Sequence, residues 1–205
     1  MASKTETSRR ANRETLETEE TLRIDRAAEL ATGDPTLGSS IIFSPTSLAL
    51  IRRVMLTGGS VIADTAIMAR RLSAPFPGGF ASLVSCFIDN PKVISAAVQR
   101  RVTRAEVAVD HALSLAGPKL LIIGSAPAAI SRLLQRRQRE QLSDVCVIAG
   151  PTGFASAVQL KEQLIESSIS SVVIRGKKGG PTATVSLAEA IFSNLISVVR
   201  ADAQR

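Results

Sequence analysis

The sequence predicts an α/β fold: a single three-layer domain with a mostly parallel sheet of five or six strands and helices on both faces. Two observations carry this. From Ile41 onward, short near-continuous apolar runs alternate with longer stretches of helical periodicity; runs of that kind suit parallel strands buried on both faces, and their alternation with helices is the pattern of a layered α/β domain. The length of 205 residues is ample for one core and short for two.

The strand candidates are Ser60–Asp64, Ser82–Ile88, Lys119–Gly124, Asp144–Gly150 and Ser170–Arg175. Helical patterns fall at about 45–57, 91–100, 104–116, 127–140, 153–166 and 182–199. Ser44-Pro45 offers a capping hydroxyl followed by proline at the first helical position, and Gly58-Gly59 ends that helix. Thr103 and Glu106 have the spacing of a capping box, with Ala105, Ala108, Val109, Ala112, Leu113 and Ala116 forming one apolar stripe behind it. Ile130, Leu133 and Leu134 give the helix that begins near Pro127 its buried face. Residues 1–28 are polar, charged and poor in large apolar side chains, so they read as a flexible or weakly helical extension in front of a domain covering 29–205.

With no Trp or Tyr and 45% hydrophobic residues, the core must be aliphatic. No apolar run reaches the ~18 residues of a membrane span, and no secretory signal opens the chain. Cys86 and Cys146 sit in apolar runs and read as reduced core thiols, which suits the cytoplasm. The formal charge is +7, but residues 1–29 hold six basic and seven acidic side chains, so the body of the fold carries the whole excess. A basic body suits an anionic ligand. Stacking aromatics and groove-binding motifs are missing, which argues against nucleic acid.

Chemistry is expected where strands turn into helices, because ligands of parallel α/β sheets sit beyond the carboxyl ends of strands, facing helix N-termini. Candidate positions are Asp64 at a strand end, Thr103 and Arg104 at a helix start, the turn Gly124-Ser125-Ala126-Pro127, Gly153-Phe154, and Arg175-Gly176-Lys177-Lys178-Gly179-Gly180. The glycines fit neither the phosphate-loop nor the dinucleotide pattern, so nucleotide readings are weak. Gly124, Gly153, Gly176, Gly179 and Gly180 could equally serve tight turns. Arg175, Lys177 and Lys178 could be a solvated run, and Arg136, Arg137 and Arg139 read as solvated face.

Taken in order, Ile42-Phe43-Ser44-Pro45, Thr103-Arg104 with Val109-Asp110, Gly124-x-Ala126-Pro127, Gly153-Phe154 with Lys161, and Arg175-Gly176-x-x-Gly179-Gly180 resemble the motifs of the precorrin-8X and cobalt-precorrin-8 methylmutases. The resemblance covers about Ile41 to Ile191. It implies a cytoplasmic isomerase of cobalamin (corrin) biosynthesis that binds a polycarboxylate tetrapyrrole, precorrin or corrinoid, and moves a methyl group from C-11 to C-12. It also implies a homodimer with the ligand at the subunit interface and no membrane or nucleic-acid partner. No organic cofactor or protein-bound metal is expected; any cobalt belongs to the substrate. Arg104 would grip a substrate carboxylate with its fork. The resemblance places Leu30 where the family carries its proton-donating histidine, so no catalytic residue is assigned. The one histidine, His111, falls inside a helix and reads as structural. Ser125 stands where the family usually has Asn, and Gln159 where it usually has Glu. The alternative that follows from Leu30 is a non-catalytic corrinoid-binding or regulatory paralogue.

Overall fold

The computed structural model describes residues 4–73, 84–153 and 155–203. Five strands form one sheet in the order β1-β5-β4-β3-β2. β2 (Ser60–Ala63), β3 (Lys119–Ile123), β4 (Val145–Ala149) and β5 (Ser170–Ile174) run parallel, and β1 (Ile41–Phe43) adds antiparallel to β5 with Ile42 opposite Val173. Every residue of β3 and β4 is buried, the reason these segments read as unbroken apolar runs.

Side chains alternate between the two faces as the strand period of two requires. Leu120, Ile122, Cys146, Ile148, Val172 and Ile174 enter one core; Leu121, Ile123, Val147, Ala149 and Val173 enter the other. The parallel strands step across the sheet in one direction, so right-handed crossovers place the helices that lead directly into β3, β4 and β5 on a single face. There α5 (Arg104–Leu113), α6 (Pro127–Arg137) and α7 (Ala155–Glu166) bury Val109, Ile130 and Leu164. The opposite face is covered by α1 (Lys4–Thr32), α2 (Ser47–Leu56), α3 (Ala66–Leu72) and α8 (Pro181–Ala203), which contribute Ile24, Ile51, Met68 and Ile191. Outside both layers, α4 (Pro91–Arg100) packs Val93 and Ala97 on Val107 of α5. The three-layer α/β architecture with a five-stranded, mostly parallel sheet is therefore as expected.

Several local expectations need correction. Ser44-Pro45 does not start a helix: α2 begins at Ser47 after Thr46, and Ser44 Oγ instead accepts from Ser171 N at 2.8 Å. The candidate strand Ser82–Ile88 is not a strand over its described part. Ser85 alone bridges Ile62, and Asn90 N then donates to Phe87 O at 3.1 Å as the chain turns into α4; Ser82 and Leu83 lie outside the described residues. Two elements went unread: β1, too short for a visible alternation, and α3, whose start is capped by Thr65 Oγ1 accepting from Met68 N at 3.4 Å. The N-terminal segment is the largest revision. The helical half of the expected flexible or weakly helical extension is what forms, but it does not end at 28: α1 runs unbroken to Thr32, and Ile24 and Ala28 are fully buried in the main core beside α8. Glu20 clamps this contact, its Oε1 accepting from Arg52 at 3.2 Å and Asn194 at 2.9 Å. Two apolar residues one turn apart are too thin a stripe to detect in a charged segment, yet enough to dock a helix against a ready-made surface.

Both cysteines are free thiols; Cys146 is fully buried, which pushes its thiol up to about 12. Asp25, one turn before Glu29 on α1, is the costly residue of this layer. Burial and then the Glu29 charge push its carboxyl up to about 6, and its Oδ1 has no partner among the described residues. A carboxyl whose folded value lies above its unfolded value destabilises the fold when ionised. The penalty is absent below about pH 4, grows between pH 4 and 6 and is complete above that. Asp25→Asn is therefore expected to stabilise the protein at pH 7–8 by about 1–2 kcal/mol in urea denaturation. The advantage should vanish near pH 4; a difference constant across pH would mean that charge burial is not its origin.

Candidate active site at the carboxyl edge of the sheet

Because β2 to β5 are parallel and adjacent, the turns that follow them gather on one edge. The first link is made by Asp64, immediately after β2. Its Oδ2 accepts from Ser125 N at 2.7 Å and Ala126 N at 2.9 Å, so it caps α6, whose own N-cap residue Ala126 has no capping side chain. These two amides are thus occupied by an internal carboxylate. Asp64 Oδ1 is buried with no partner among the described residues. Burial raises the carboxyl's pKa, opposed by the amides of Ala126, Ser125 and Gly124.

Two glycines let neighbouring turns meet. A Cβ on Gly124 would lie 2.8 Å from Met68 Cε and 3.0 Å from Pro181 Cα, so this glycine admits α3 and the start of α8 to the end of β3. At Gly179, φ is 130° and a Cβ would lie 2.0 Å from Gly150 O. Next to it Gly180 N donates to Gly150 O at 2.6 Å. The β5–α8 turn is thereby seated on the end of β4, and only glycine fits there.

Charged residues fasten the same turn from both sides. Lys161 of α7 is fully buried and its Nζ donates to Lys178 O at 2.9 Å. Burial lowers its amine to about 8, against the opposing pull of Glu162. Glu162 accepts from Arg175 Nε at 3.0 Å and Arg175 Nη2 at 2.8 Å. Across the turn, Lys178 Nζ reaches Asp34 Oδ2 at 2.7 Å and also Thr36 Oγ1. The hydrogen bonds from Lys178 and Thr36 hold the Asp34 carboxyl down at about 2. Lys177 has no carboxylate partner among the described residues and is exposed.

Of the positions singled out from the sequence, Asp64, Gly124, Ser125, Ala126 and Pro127 form one connected unit. Lys161, Arg175, Gly176, Gly179 and Gly180 form a second, and Gly153 lies in the intervening β4–α7 segment; Phe154 lies outside the described residues. Thr103 and Arg104 serve the start of α5. The capping box is complete, with Thr103 N donating to Glu106 Oε2 at 2.8 Å and Glu106 N to Thr103 Oγ1 at 3.2 Å. The Arg104 guanidinium is half-exposed and already pairs with Asp89 at 3.1 Å. Between α5 and the end of β2 lies a small, open apolar recess lined by Ile62, Asp64, Ile88, Ala105, Ala108 and Val109 among others. It brings Asp64 and the Arg104 helix start to the same edge.

Leu30 is 72% exposed near the end of α1, not in an apolar pocket. His111 meets Phe87 edge-on at 4.6 Å between ring centroids, a packing contact. The residues that sequence reasoning missed are Asp34 and Thr36, which hold Lys178 across 144 and 142 residues of chain. No local pattern signals a pairing that distant. Among the described residues, no group of three or more His, Cys, Asp or Glu is placed to hold a metal, and no helix is long and apolar enough to cross a membrane.

Comparison with known proteins places these features in a family. The model of the precorrin-8X methylmutase family matches residues 3–194, α1 included. The cobalt-precorrin-8 methylmutase of Methanothermobacter thermautotrophicus is 27% identical over 163 residues, covering 80% of this chain and 75% of that protein. The cobalt-precorrin-8 methylmutase of Salmonella typhimurium is 33% identical over 127 residues, 62% of this chain and 57% of that protein. The crystal structure of a precorrin-8X methyl mutase from Thermus thermophilus has the same fold, with a TM-score of 0.77 at 23% identity over 87% of this chain and 86% of that one. With nearly its whole length matched by the family model, and with the Asp64 and Arg175–Gly180 turns assembled on one edge, the chain belongs to the precorrin-8X methylmutase family.

Proposed function

We propose that this protein is a methylmutase of corrin biosynthesis, binding precorrin-8X or cobalt-precorrin-8 at the carboxyl edge of its sheet and moving a methyl group from C-11 to C-12. The observation that carries this reading is the assembly of the turns after β2, β3, β4 and β5 on one edge of the sheet, in a chain matched by the family model over residues 3–194. The reaction is an isomerisation: the C-11–methyl bond breaks as the C-12–methyl bond forms, and no atom is gained or lost. The protein's tasks are to bind a polyanionic macrocycle, orient it, and manage a proton. The basic body supports the first task, and turns already locked by Asp64, Lys161 and Lys178 support the second by limiting the ordering cost on binding. No organic cofactor is required on this reading, and cobalt, where present, is part of the substrate.

We further propose a cytoplasmic homodimer with the macrocycle at the subunit interface. Leu30 and Ile67 support it: large apolar side chains 72% and 80% exposed, on α1 and α3, the two helices that flank α8. At micromolar concentration, light scattering should give twice the chain mass; a monomer would remove the interface from the proposal.

The test of function is absorbance titration with hydrogenobyrinate, with turnover of precorrin-8X measured on the same sample. Binding is expected. Leu30→His should raise the rate of methyl migration with an inflection near the imidazole value of about 6.5. Leu30 is exposed in the single chain but would be covered in the proposed dimer, so the melting temperature and the mass of the variant are recorded beside its rate. Binding without turnover in either form would make the chain a non-catalytic corrinoid binder, and absence of binding would overturn the reading altogether.

A further inference from the structure

The edge that faces the ligand holds more positive charge than it has to offer. Arg104 is paired with Asp89, and Lys161 is buried and committed to Lys178 O. Within the β5–α8 turn, Arg175 is held by Glu162 and Lys178 by Asp34 and Thr36. Each of these cations fastens one segment to another, so withdrawing it toward a ligand would loosen the turn it holds.

Lys177 differs in each respect. It has no carboxylate partner among the described residues, and its side chain is exposed. Its backbone lies between two anchored residues, Arg175 two positions before it and Lys178 next to it. Arg175 N donates to Ser40 O at 2.7 Å, and Lys178 is held both through its carbonyl and through its amine. The space beside it is open, since a Cβ on Gly176 would meet nothing within 4 Å. A charged tip on a fixed root, with no internal bond to break, can take up an anion without disturbing the turn.

We propose that Lys177 is the residue of this turn that contacts a carboxylate of the ligand, and that it sets a preference for corrinoids with acidic side chains over those with amidated ones. The inference deepens the tetrapyrrole-binding reading above and rests on it. An ammonium is a compact point charge, so it attracts a carboxylate from a range of approach angles but has no equivalent grip on a neutral amide. The paired cations Arg175 and Lys178 act as positioning residues for it.

The experiment titrates hydrogenobyrinate, and separately a corrinoid whose side-chain carboxylates are converted to amides, into the full-length wild type, Lys177→Gln and Lys178→Gln, with melting temperature recorded for each. Lys177→Gln should weaken hydrogenobyrinate binding about tenfold or more, flatten its dependence on salt, and leave the amidated corrinoid and the melting temperature unchanged. Lys178→Gln should lower the melting temperature and weaken both ligands, as loss of a fastening would. Unchanged hydrogenobyrinate affinity in Lys177→Gln, or an equal loss for both ligands, overturns the assignment while leaving the corrinoid reading in place. A wild type that binds no hydrogenobyrinate overturns that reading, and this assignment with it.

Discussion

The seat of the β5–α8 turn on the end of β4 is the contact on which the rest of the molecule hangs. Gly180 N reaches Gly150 O at 2.6 Å, and the neighbouring Gly179 is so close that a single added carbon would sit 2.0 Å from that oxygen. Main chain meets main chain there, with no side chain to give way. The contact sets where α8 begins, and Gly124 admits its first residue, Pro181, to the end of β3. From that start α8 crosses the sheet and buries Val185, Leu187, Ala188 and Ile191. It then offers the surface on which α1 and α3 dock. Much of one layer of the fold thus depends on the absence of a Cβ at two positions.

Electrostatics follow the same logic of connection. A net charge of +7 suggests a broad attraction for anions, but the individual cations are mostly engaged in joining elements. Lys178 ties the β5–α8 turn to the segment after α1, Arg175 ties it to α7, Arg104 ties α5 to the segment before α4, and Arg71 reaches from α3 to Glu189 of α8. On the outer helical layer, Arg100, Arg132 and Arg136 all approach Asp110. Exposed pairs of this kind add little stability one at a time. Their larger effect is to join elements and to leave fewer cations unpaired than the net charge suggests.

Leu30 lies exposed near the end of α1 rather than enclosed. The segment just beyond it is held to the carboxyl edge of the sheet through Asp34 and Lys178.

By itself the sequence determined the layers, the parallel strands and the turns that matter. Unbroken apolar runs such as residues 120–123 require burial on both faces, and capping residues such as Thr103 with Glu106 act within a few residues of themselves. What it could not express was any interaction defined only across the fold. Ser85 pairs once and then turns away, so an apolar run there yields a bridge in place of a strand. Two apolar residues, Ile24 and Ala28, become a docking stripe only because α8 is already in place. Asp64 caps a helix whose N-cap residue lies 62 residues later, and Asp34 neutralises a lysine 144 residues away. Which basic residues fasten the fold and which remain free for a ligand was thus decided by tertiary structure alone, because the carboxylate that claims a cation is found by folding and not by spacing along the chain.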